Sequence, residues 1–481
     1  MSSSYETVIG LEIHVQLNTK SKAFCRDTNR FGDNANTNIS EVSLALPGTL
    51  PNLNRSQVLS AIKLGVSLDC DINKNSRFDR KNYTYPDLPK GYQITQDQKP
   101  ICIGGQFTFK TGENYKTIRL HHIHMEEDAG KSIHDIDKTL TCLDYNRAGT
   151  PLLEVVTEPD FRSGQEVSDF MSAFQTLIRY IDISDANMEE GSLRCDCNVS
   201  VRTDANAPLG TRAEVKNVNS KKFAKQAIEF EAERQWGIIT AGGEVIQETR
   251  LFEAESGKTY SMRKKEDALD YRYFPDPDLQ SIIIADKVIK NIKNSIEFLP
   301  WEAEKNLKDD YGITPKVAET ISQDKSLVYL FLEMVKDIKN NKLVSNFIVN
   351  QFITIQNKIT NADYGIKRDV FTKMLMLIND DKLSASTAYT ILIPIILKTN
   401  EINIEQIAKD NNIFLESTGI DLGDVCKEIM NKFPDKVKAY QNGKKGLIGF
   451  FMGQFMKSGG KGLNPKDVQK EFENLLNEKP V

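Results

Sequence analysis

The segment Val8-Ile-Gly-Leu-Glu-Ile-His-Val-Gln-Leu17 decides the fold of the first half of the chain. Every odd-numbered residue from Ile9 to Leu17 is apolar, whereas the even-numbered residues include Glu12 and His14. Strict alternation with a period of two is typical of a β-strand that has one buried face. The pattern therefore predicts a strand that presents Glu12 and His14 side by side on the face away from the core.

Five later segments repeat this alternation, and each carries polar residues on one face. These residues are His122, His124 and Glu126 in 118–126, Glu154 in 151–156, Arg194, Asp196 and Asn198 in 193–202, Glu214 and Lys216 in 211–218, and Glu248 and Arg250 in 247–252. Helical patterns interrupt the strands at 56–68, 164–181 and 220–236. Because strands and helices do not alternate regularly, we predict an antiparallel α+β domain rather than a doubly wound sheet.

The pattern changes near residue 295, where long helical stretches rich in Lys, Ile, Leu and Asn begin. A chain of 481 residues is long enough for about three domains of roughly 150 residues each. We predict an α+β domain over 1–294, an all-helical domain over 295–404 and a small helical tail domain over 405–481.

Composition excludes several classes of protein. Charged residues make up 27% and hydrophobic residues 40%, which is typical of a folded globular protein rather than a disordered or fibrous one. A net charge of −5 excludes a wholly basic coat protein for nucleic acid, although not a local basic patch. No apolar run approaches the roughly 20 residues that cross a bilayer, and the first residues do not form a secretory signal. The seven scattered cysteines then favour free thiols, and the protein is expected in the cytoplasm without membrane contact.

The acidic and basic residues of the predicted strands are the candidates for chemistry. On a solvated sheet they would be ordinary surface charges, and that interpretation stays open for any single strand. If several carboxylates converge, repulsion of about 4 kcal/mol per pair at 4 Å calls for a cation, and Mg²⁺ prefers oxygen ligands. Neighbouring Arg and Lys side chains bind phosphate oxygens, so the combination suits phosphoryl transfer.

Familiar metal and nucleotide motifs are absent. Residues 130–132, Gly-Lys-Ser, resemble the end of a P-loop, but Met125 occupies the position of its first glycine. His121, His122 and His124 could indicate zinc, yet alternation predicts His121 on the face opposite the other two, and no cysteine lies nearby.

The tail contains a second candidate functional feature, a cluster of lysines. Residues 432–470 contain nine lysines against two acids, a local net charge of +7. Between the lysines, residues 446–456 have apolar residues at helical spacing, and Gly449 and Gly453 are predicted to allow close helix packing. Lysines around a packed helix suit a polyanion backbone, although an ordinary solvated helix face is the alternative.

Taken together, these segments resemble the B subunits of bacterial aspartyl/glutamyl-tRNA(Asn/Gln) amidotransferases, from near residue 5 to the C-terminus. The motifs that carry the resemblance are Val8 to Leu17 as quoted above, Leu46-Pro-Gly-Thr-Leu-Pro51, Lys81-Asn-Tyr-Thr-Tyr-Pro-Asp-Leu-Pro-Lys-Gly-Tyr-Gln-Ile94, His124-Met-Glu-Glu-Asp-Ala-Gly-Lys131, Asp144-Tyr-Asn-Arg-Ala-Gly-Thr-Pro-Leu-Leu-Glu154, Met188-Glu-Glu-Gly-Ser-Leu-Arg-Cys-Asp-Cys-Asn198, Glu214-Val-Lys-Asn-Val-Asn219, Tyr271-Arg-Tyr-Phe-Pro-Asp276 and Gly449-Phe-Phe-Met-Gly-Gln-Phe-Met-Lys457.

The resemblance implies a ligase whose N-terminal cradle domain is similar to glutamine synthetase and binds ATP and Mg²⁺. Such a cradle phosphorylates the side-chain carboxylate of Glu-tRNA(Gln) or Asp-tRNA(Asn), and ammonia from a glutaminase A subunit then forms the amide. A small C subunit completes the complex, and the helical and tail domains hold tRNA. The resemblance does not say whether Gln-tRNA, Asn-tRNA or both are the products.

The resemblance also implies roles for individual residues. Candidate Mg²⁺ ligands and catalytic residues are Glu12, His14, Glu126 and Glu154, with Asp196 as a further ligand. Candidates for binding the nucleotide are Arg194, Lys216, Arg250 and Asn198. Candidates for tRNA contact are Tyr83, Tyr85 and Lys90 at the acceptor end and Lys438, Lys444, Lys445, Lys457 and Lys461 in the tail.

One departure from the family concerns zinc. Many members carry C-x-C followed by C-x-x-C before the L-P-G motif, but the matching residues here are Cys25, Asp27, Ser40 and Ser43. One thiolate cannot hold a structural zinc ion tetrahedrally, so we predict no zinc and expect hydrogen bonds or packing to support this loop.

Two other functions remain possible from the sequence. The first is a tRNA-binding scaffold that lacks kinase chemistry, which the retained acids and bases disfavour. The second is a stand-alone ligase that joins a carboxylate to an amine on a small molecule, which the basic tail disfavours because a small substrate needs no polyanion-binding surface.

Overall fold

The structure is a computed structural model that describes residues 5–134, 136, 139–264, 270–359, 364–398, 403–415, 422–457 and 465–477. The chain forms two compact units, residues 1–300 and 301–481. The first unit combines a large sheet with helices and the second is helical, which confirms the predicted α+β class. The further division of the helical part at residue 404 stays a prediction.

Strand β1 lies in the middle of a ten-stranded sheet. The sheet runs β15-β14-β13-β12-β1-β11-β8-β6-β2, and β7 pairs with β8. The strands are β1 Glu6–Gln16, β2 Asp71–Ile72, β3 Asn75–Ser76, β4 Asp79–Asn82, β5 Tyr92–Thr95, β6 Cys102–Ile103, β7 Gln106–Thr111, β8 Asn114–Glu127, β9 Lys131–Ile133, β10 Cys142–Asp144, β11 Pro151–Thr157, β12 Leu193–Arg202, β13 Ala213–Val218, β14 Glu248–Glu253, β15 Lys258–Lys264, β16 Phe274–Pro275 and β17 Ile282–Ile283.

The sheet departs from the expected antiparallel pattern at one pair of strands. β13 and β14 run parallel, with Val215 opposite Arg250, whereas the other paired strands of this sheet are antiparallel. The 20-residue helix Lys221–Thr240 lies between these two strands in the sequence. A parallel pair requires such a crossover, so this helix is the reason for the exception.

In the described part of the first unit, four helices accompany the sheet: α1 Arg55–Ser67, α2 Gly164–Tyr180, α3 Lys221–Thr240 and α4 Asp286–Ser295. The Ser163 side chain caps α2 by accepting a hydrogen bond from the backbone N–H of Glu166, and Ser220 caps α3 in the same way. Because α2 and α3 contact each other and strands β7 and β12, they cover one face of the sheet.

The odd-numbered residues of β1 lie in the core beneath these helices. Ile9, Leu11, Ile13 and Val15 are at most 1% exposed, in one cluster with Phe170 of α2. Burying each such side chain stabilises the fold by about 1.5–3 kcal/mol. Cys195 and Cys197 of β12 belong to the same core. The opposite face of the sheet is therefore left for Glu12 and His14.

The second unit consists of short helices: α5 Pro300–Asp309, α6 Pro315–Ser322, α7 Lys325–Asp337, α8 Asn341–Phe347, α9 Ile353–Ile355, α10 Tyr364–Asn379, α11 Ala385–Ile396, α12 Ile404–Asp410, α13 Leu422–Lys432, α14 Pro434–Gln441, α15 Ile448–Lys457 and α16 Pro465–Asn477. The last four share a core around Phe451 and Phe472. A Cβ added at Gly449 or Gly453 would meet nothing within 4 Å, so the predicted close packing at these glycines is wrong. Among the described helices, none combines the length and apolar content that a bilayer crossing requires.

Candidate functional site

Three neighbouring strands bring His14, Glu126 and Glu154 together on the outer face of the sheet. The register places His14 of β1 opposite Glu154 of β11, and Glu126 comes from β8 on the far side of β11. His14 Nε2 lies 3.2 Å from Glu154 Oε2 and 3.5 Å from Glu126 Oε1. One ligand atom from each residue lies within 4.8 Å of the others, so the three could hold a metal ion. We call this group the first cluster.

A second cluster forms one step along β1, from Glu12, Asp196 and Glu214. Glu12 lies opposite Asp196 of β12, and Glu214 comes from β13. Their carboxylate oxygens also lie within 4.8 Å of one another. The Lys216 ammonium lies 2.7 Å from oxygens of both Asp196 and Glu214.

The five predicted metal ligands therefore divide between two groups, three in the first cluster and two in the second, which Glu214 completes. Glu12 and His14 share a face of β1 but are two residues apart, about 6.6 Å along a strand. At that spacing each meets different neighbours: His14 faces β11 and β8, whereas Glu12 faces β12. Alternation identifies the shared face, and only the pairing of strands decides which acids meet.

Electrostatic pairing in the first cluster opposes the effect of burial. Burial lowers the pKa of His14, but Glu154 and Glu126 raise it above its ordinary value. Burial also lowers the pKa of His124, but Glu154 and Glu126 raise it to about 10. Burial raises the pKa of Glu154, but His124 and His14 hold it well below its ordinary value. The carboxylates of the first cluster therefore favour positive charge at this position, which a bound divalent cation would also supply.

In the second cluster the acids repel one another. Burial raises the pKa of Glu12, repulsion from Glu154 and Glu214 adds to this, and the hydrogen bond from Asn198 partly offsets it. The Asn198 Nδ2 donates this bond at 2.9 Å to Glu12 Oε1. A bound cation would relieve the repulsion, so the donor set suits a hard divalent ion.

Two members of the site were missed as ligands from the sequence. His124 Nε2 lies 3.3 Å from Glu154 Oε2, and Glu214 completes the second cluster. The sequence did contain a signal for both residues. His124 lies two residues before Glu126, and Glu214 lies two residues before Lys216, so each pair shares one face of its strand.

The histidine run also departs from alternation. The register shifts between the pairs Val156–His122 and Thr157–Leu120, so one extra residue of β8 lies between them. His121 Nδ1 then lies 2.7 Å from His122 Nδ1, and the prediction that His121 faces the opposite side is wrong. His122 Nε2 continues the contact at 3.0 Å from His124 Nδ1.

The basic candidates fall into two sets. Lys216 and Arg194 lie at the clusters, and Arg194 Nη2 contacts Asp128 Oδ2 at 2.7 Å. Arg250 does not join them, because its position opposite the core residue Val215 directs it to the helix-covered face. There it pairs with Glu248 and contacts Glu231 of α3 at 3.2 Å, so the predicted nucleotide-binding role is replaced by a structural one.

The three candidates for the tRNA acceptor end lie on one segment near the first cluster. The Tyr83 hydroxyl donates to Gln93 Oε1 at 3.0 Å, and its ring is 5.8 Å from that of Tyr85. Burial and then Glu126 raise the pKa of Tyr83, which agrees with its closeness to the acids. Lys90 pairs with Glu127, and Tyr85 is 51% exposed.

In the tail, Lys438, Lys444, Lys445 and Lys457 are exposed. Lys445 Nζ donates to Asn477 Oδ1 at 2.8 Å and lies 4.2 Å from the ring centre of Tyr440. Its ammonium group therefore already makes contacts within the tail. Lys461 lies outside the described residues.

The four positions that hold zinc in many family members form a hydrogen-bonded cluster here. Ser40 Oγ donates to Asp27 Oδ2 at 3.0 Å, Ser43 donates to the same oxygen, and Cys25 Sγ lies 3.5 Å from Ser43 Oγ. The buried Lys22 contacts Ser43 Oγ at 3.4 Å. The loop thus contains hydrogen bonds of the kind expected to support it, and the absence of zinc stays a prediction.

Replacing Asp27 by asparagine is expected to lower the free energy of unfolding by about 1–3 kcal/mol, because two hydroxyl donors lose a charged acceptor. Burial raises the pKa of Asp27, but Ser43 and Ser40 lower it overall. The stabilisation is thus complete at neutral pH and is lost as the pH falls below the ordinary carboxyl value of 3.8. Thermal unfolding at pH 7 and at low pH, with Glu41→Gln at an exposed acid of the same loop as control, checks this. An unchanged melting temperature in Asp27→Asn would leave packing as the support.

Comparison with known proteins covers almost the whole chain. The family model described as "GatB/GatE catalytic domain" matches residues 7–290, and the "GatB domain" model matches residues 329–476. A protein of Bdellovibrio bacteriovorus, named as the B subunit of an aspartyl/glutamyl-tRNA(Asn/Gln) amidotransferase, is 42% identical over 98% of both chains. Proteins of that name from Chlorobium luteolum and Persephonella marina are 42% and 39% identical, over 98% of this chain and 99% of theirs.

Proposed function

The chain belongs to the family of aspartyl/glutamyl-tRNA(Asn/Gln) amidotransferase B subunits, and from this premise we propose that it phosphorylates the carboxylate of a mischarged tRNA. The donor is ATP, the substrates are Glu-tRNA(Gln), Asp-tRNA(Asn) or both, and the partners are a glutaminase A subunit and a small C subunit in the cytoplasm. The observation that carries the proposal is the pair of acidic clusters, side by side on one sheet face, with Lys216 and Arg194 beside them.

The donor atoms of both clusters fit Mg²⁺. Glu126 and Glu154 offer carboxylate oxygens with one imidazole from His14, and the second cluster offers carboxylates alone. When bound, the ion would neutralise charge on the phosphates during transfer. The second cluster has purely oxygen ligands, which is the set that Mg²⁺ prefers.

The proposed reaction has two steps, which balance in atoms and charge. An oxygen of the substrate carboxylate bonds to the γ-phosphorus of ATP while the bond from that phosphorus to the β,γ-bridging oxygen breaks, releasing ADP. Ammonia then attacks the acyl carbon, phosphate leaves with the electrons of the C–O bond, and the nitrogen loses one proton. Phosphorylation is needed because a carboxylate oxygen is a poor leaving group.

The residues of this chain contribute charge and position. Lys216 and Asn198 lie at the second cluster, where their N–H groups are able to donate to phosphate oxygens. Tyr83 and Lys90, near the first cluster, would orient the aminoacyl end of the tRNA. The exposed lysines of the tail would contact the phosphate backbone elsewhere on the tRNA.

The test measures ATP hydrolysis by the reconstituted complex with and without Glu-tRNA(Gln) or Asp-tRNA(Asn). We expect ADP formation to depend on one or both charged tRNAs and on Mg²⁺. Tight tRNA binding with no ADP formation would instead identify a scaffold protein without kinase chemistry.

A further inference from the structure

Strand β13 contains a β-bulge at Lys216 and Asn217. From 195 to 197 strand β12 advances two residues, whereas β13 covers the same distance in three, from 218 back to 215. Both bulge residues therefore lie opposite Asp196, which pairs with Lys216 in the second cluster. A bulge bends its strand and redirects the side chains beside it.

The bulge changes which residues of β13 enter the core. Val215 and Val218 are both buried there, although they are three residues apart. Strict alternation from Val215 would turn Asn217 into the core and Val218 out to the open face of the sheet. Instead, Asn217 is exposed and Lys216 is partly buried. The bulge therefore keeps Asn217 outside the core while the strand continues.

Asn217 has a backbone conformation that is unusual in a strand. Its φ is +65°, in the left-handed region that residues with a Cβ rarely adopt. Asparagine tolerates this region better than most residues, because its short polar side chain forms hydrogen bonds to nearby backbone. The residue at this position therefore fits the strained backbone that the bulge requires.

The side chain of Asn217 also connects the bulge to the next strand. Its Nδ2 donates to the backbone carbonyl oxygen of Phe252 in β14 at 3.1 Å. The pairing of β13 with β14 reaches Lys216 opposite Leu251, so this bond extends the connection by one residue. The Lys216 ammonium lies 2.7 Å from a carboxylate oxygen on each of two acids of the second cluster. The bulge is thus fixed on one side while its lysine reaches the cluster.

We propose that Asn217 is a positioning residue that aims Lys216 at the second cluster, a proposal that rests on the function proposed above. Asn217 acts through its backbone, which fixes the direction of the preceding side chain, and through its bond to β14, which fixes the place of the bulge. Misplacing a reacting group by about 1 Å can cost about 100-fold in rate. A residue beside the lysine is therefore able to control turnover without touching the substrate.

The experiment compares variants of Asn217 in the reconstituted complex. Asn217→Ala strains the left-handed backbone and removes the bond to Phe252, whereas Asn217→Gly removes only the bond, because glycine adopts a positive φ freely. Asn412→Ala is the matched control, since it replaces the same residue type at a φ of +50° in an exposed turn of the second unit.

Two quantities are measured for each variant. The first is kcat/KM for ATP in ADP formation that depends on charged tRNA. The second is the rate at which a succinimidyl ester acylates Lys216, followed by mass spectrometry without ATP or tRNA. The second measurement reports the placement of the ammonium group whether or not the complex is a kinase.

We expect kcat/KM for ATP to fall about 10- to 100-fold in Asn217→Ala and about threefold in Asn217→Gly, and to stay within about twofold in Asn412→Ala. Acylation of Lys216 should become at least about twofold faster in both Asn217 variants, because an ammonium group that leaves two carboxylates is less shielded. Asn412→Ala should leave that rate unchanged.

Double substitution separates positioning from a general structural role. Lys216→Ala combined with either Asn217 variant should cost no more than Lys216→Ala alone, because a residue that acts through another has no further effect once that residue is gone. Additive losses would overturn the proposal, as would unchanged acylation of Lys216 in the Asn217 variants. If Asn217→Ala does not assemble, Asn217→Gly carries the same comparison. A wild-type complex that forms no ADP would refute the proposed function, and the acylation rates would still decide whether Asn217 positions Lys216.

Discussion

The Glu126→Gln variant is expected to lose ATP turnover that depends on charged tRNA by about 100- to 1,000-fold, a loss of the size caused by removing one preorganised electrostatic contact to the transition state. Glutamine keeps the size of the side chain, and the hydrogen bond from Gln57 to the Glu126 backbone carbonyl is untouched. The change therefore removes one negative charge from the first cluster without opening a cavity.

The same variant should show less thermal stabilisation by Mg²⁺ than the wild type, since a ligand stabilises only the state that binds it. Its tRNA affinity should stay within about twofold, because the proposed backbone contacts are in the tail. Glu113→Gln makes the same change at an exposed turn of the β7–β8 hairpin and serves as control. Wild-type turnover in Glu126→Gln would refute the metal assignment of the first cluster.

Replacing Lys438, Lys444 and Lys457 together by alanine is expected to weaken tRNA binding about tenfold to hundredfold at low salt. All three are exposed, and α13–α16 keep their core around Phe451 and Phe472, so the tail should remain folded. Each lost phosphate contact also lowers the slope of log affinity against log salt by about 0.7–0.9. Filter binding at several salt concentrations would measure both effects.

The matched control removes the same charge from α4, where Lys287, Lys290 and Lys293 are exposed. An equal loss in that triple variant would show that net charge, rather than the tail surface, determines tRNA affinity. An unchanged salt slope in the tail variant would count against the tail as a tRNA-binding surface.

Local patterns were enough to predict the elements that form the site. Alternation in β1 and β12 placed Glu12, His14 and Asp196 on one face, and the observed strands agree with the expected segments to within a few residues. Alternation is a reliable signal here because the core beneath β1 admits only one orientation of the strand.

Which residues meet across strands could not be predicted in the same way. The separation into two clusters depends on the pairing of β1 with β11 and β12. Arg250 lies away from the site because the parallel pairing of β13 with β14 places it opposite the core residue Val215. A register shift likewise moved His121 toward His122. These contacts join segments far apart in sequence, so no local pattern carries them.

Because β1 supplies one residue to each cluster and fills the core with the residues between them, its length is constrained more strictly than its composition. Inserting or deleting one residue between Gly10 and His14 would turn every side chain on one side of the change to the opposite face of the sheet. Charged side chains would then point into the core and apolar side chains toward solvent. This strand can therefore accept substitutions at single positions, but not insertions or deletions.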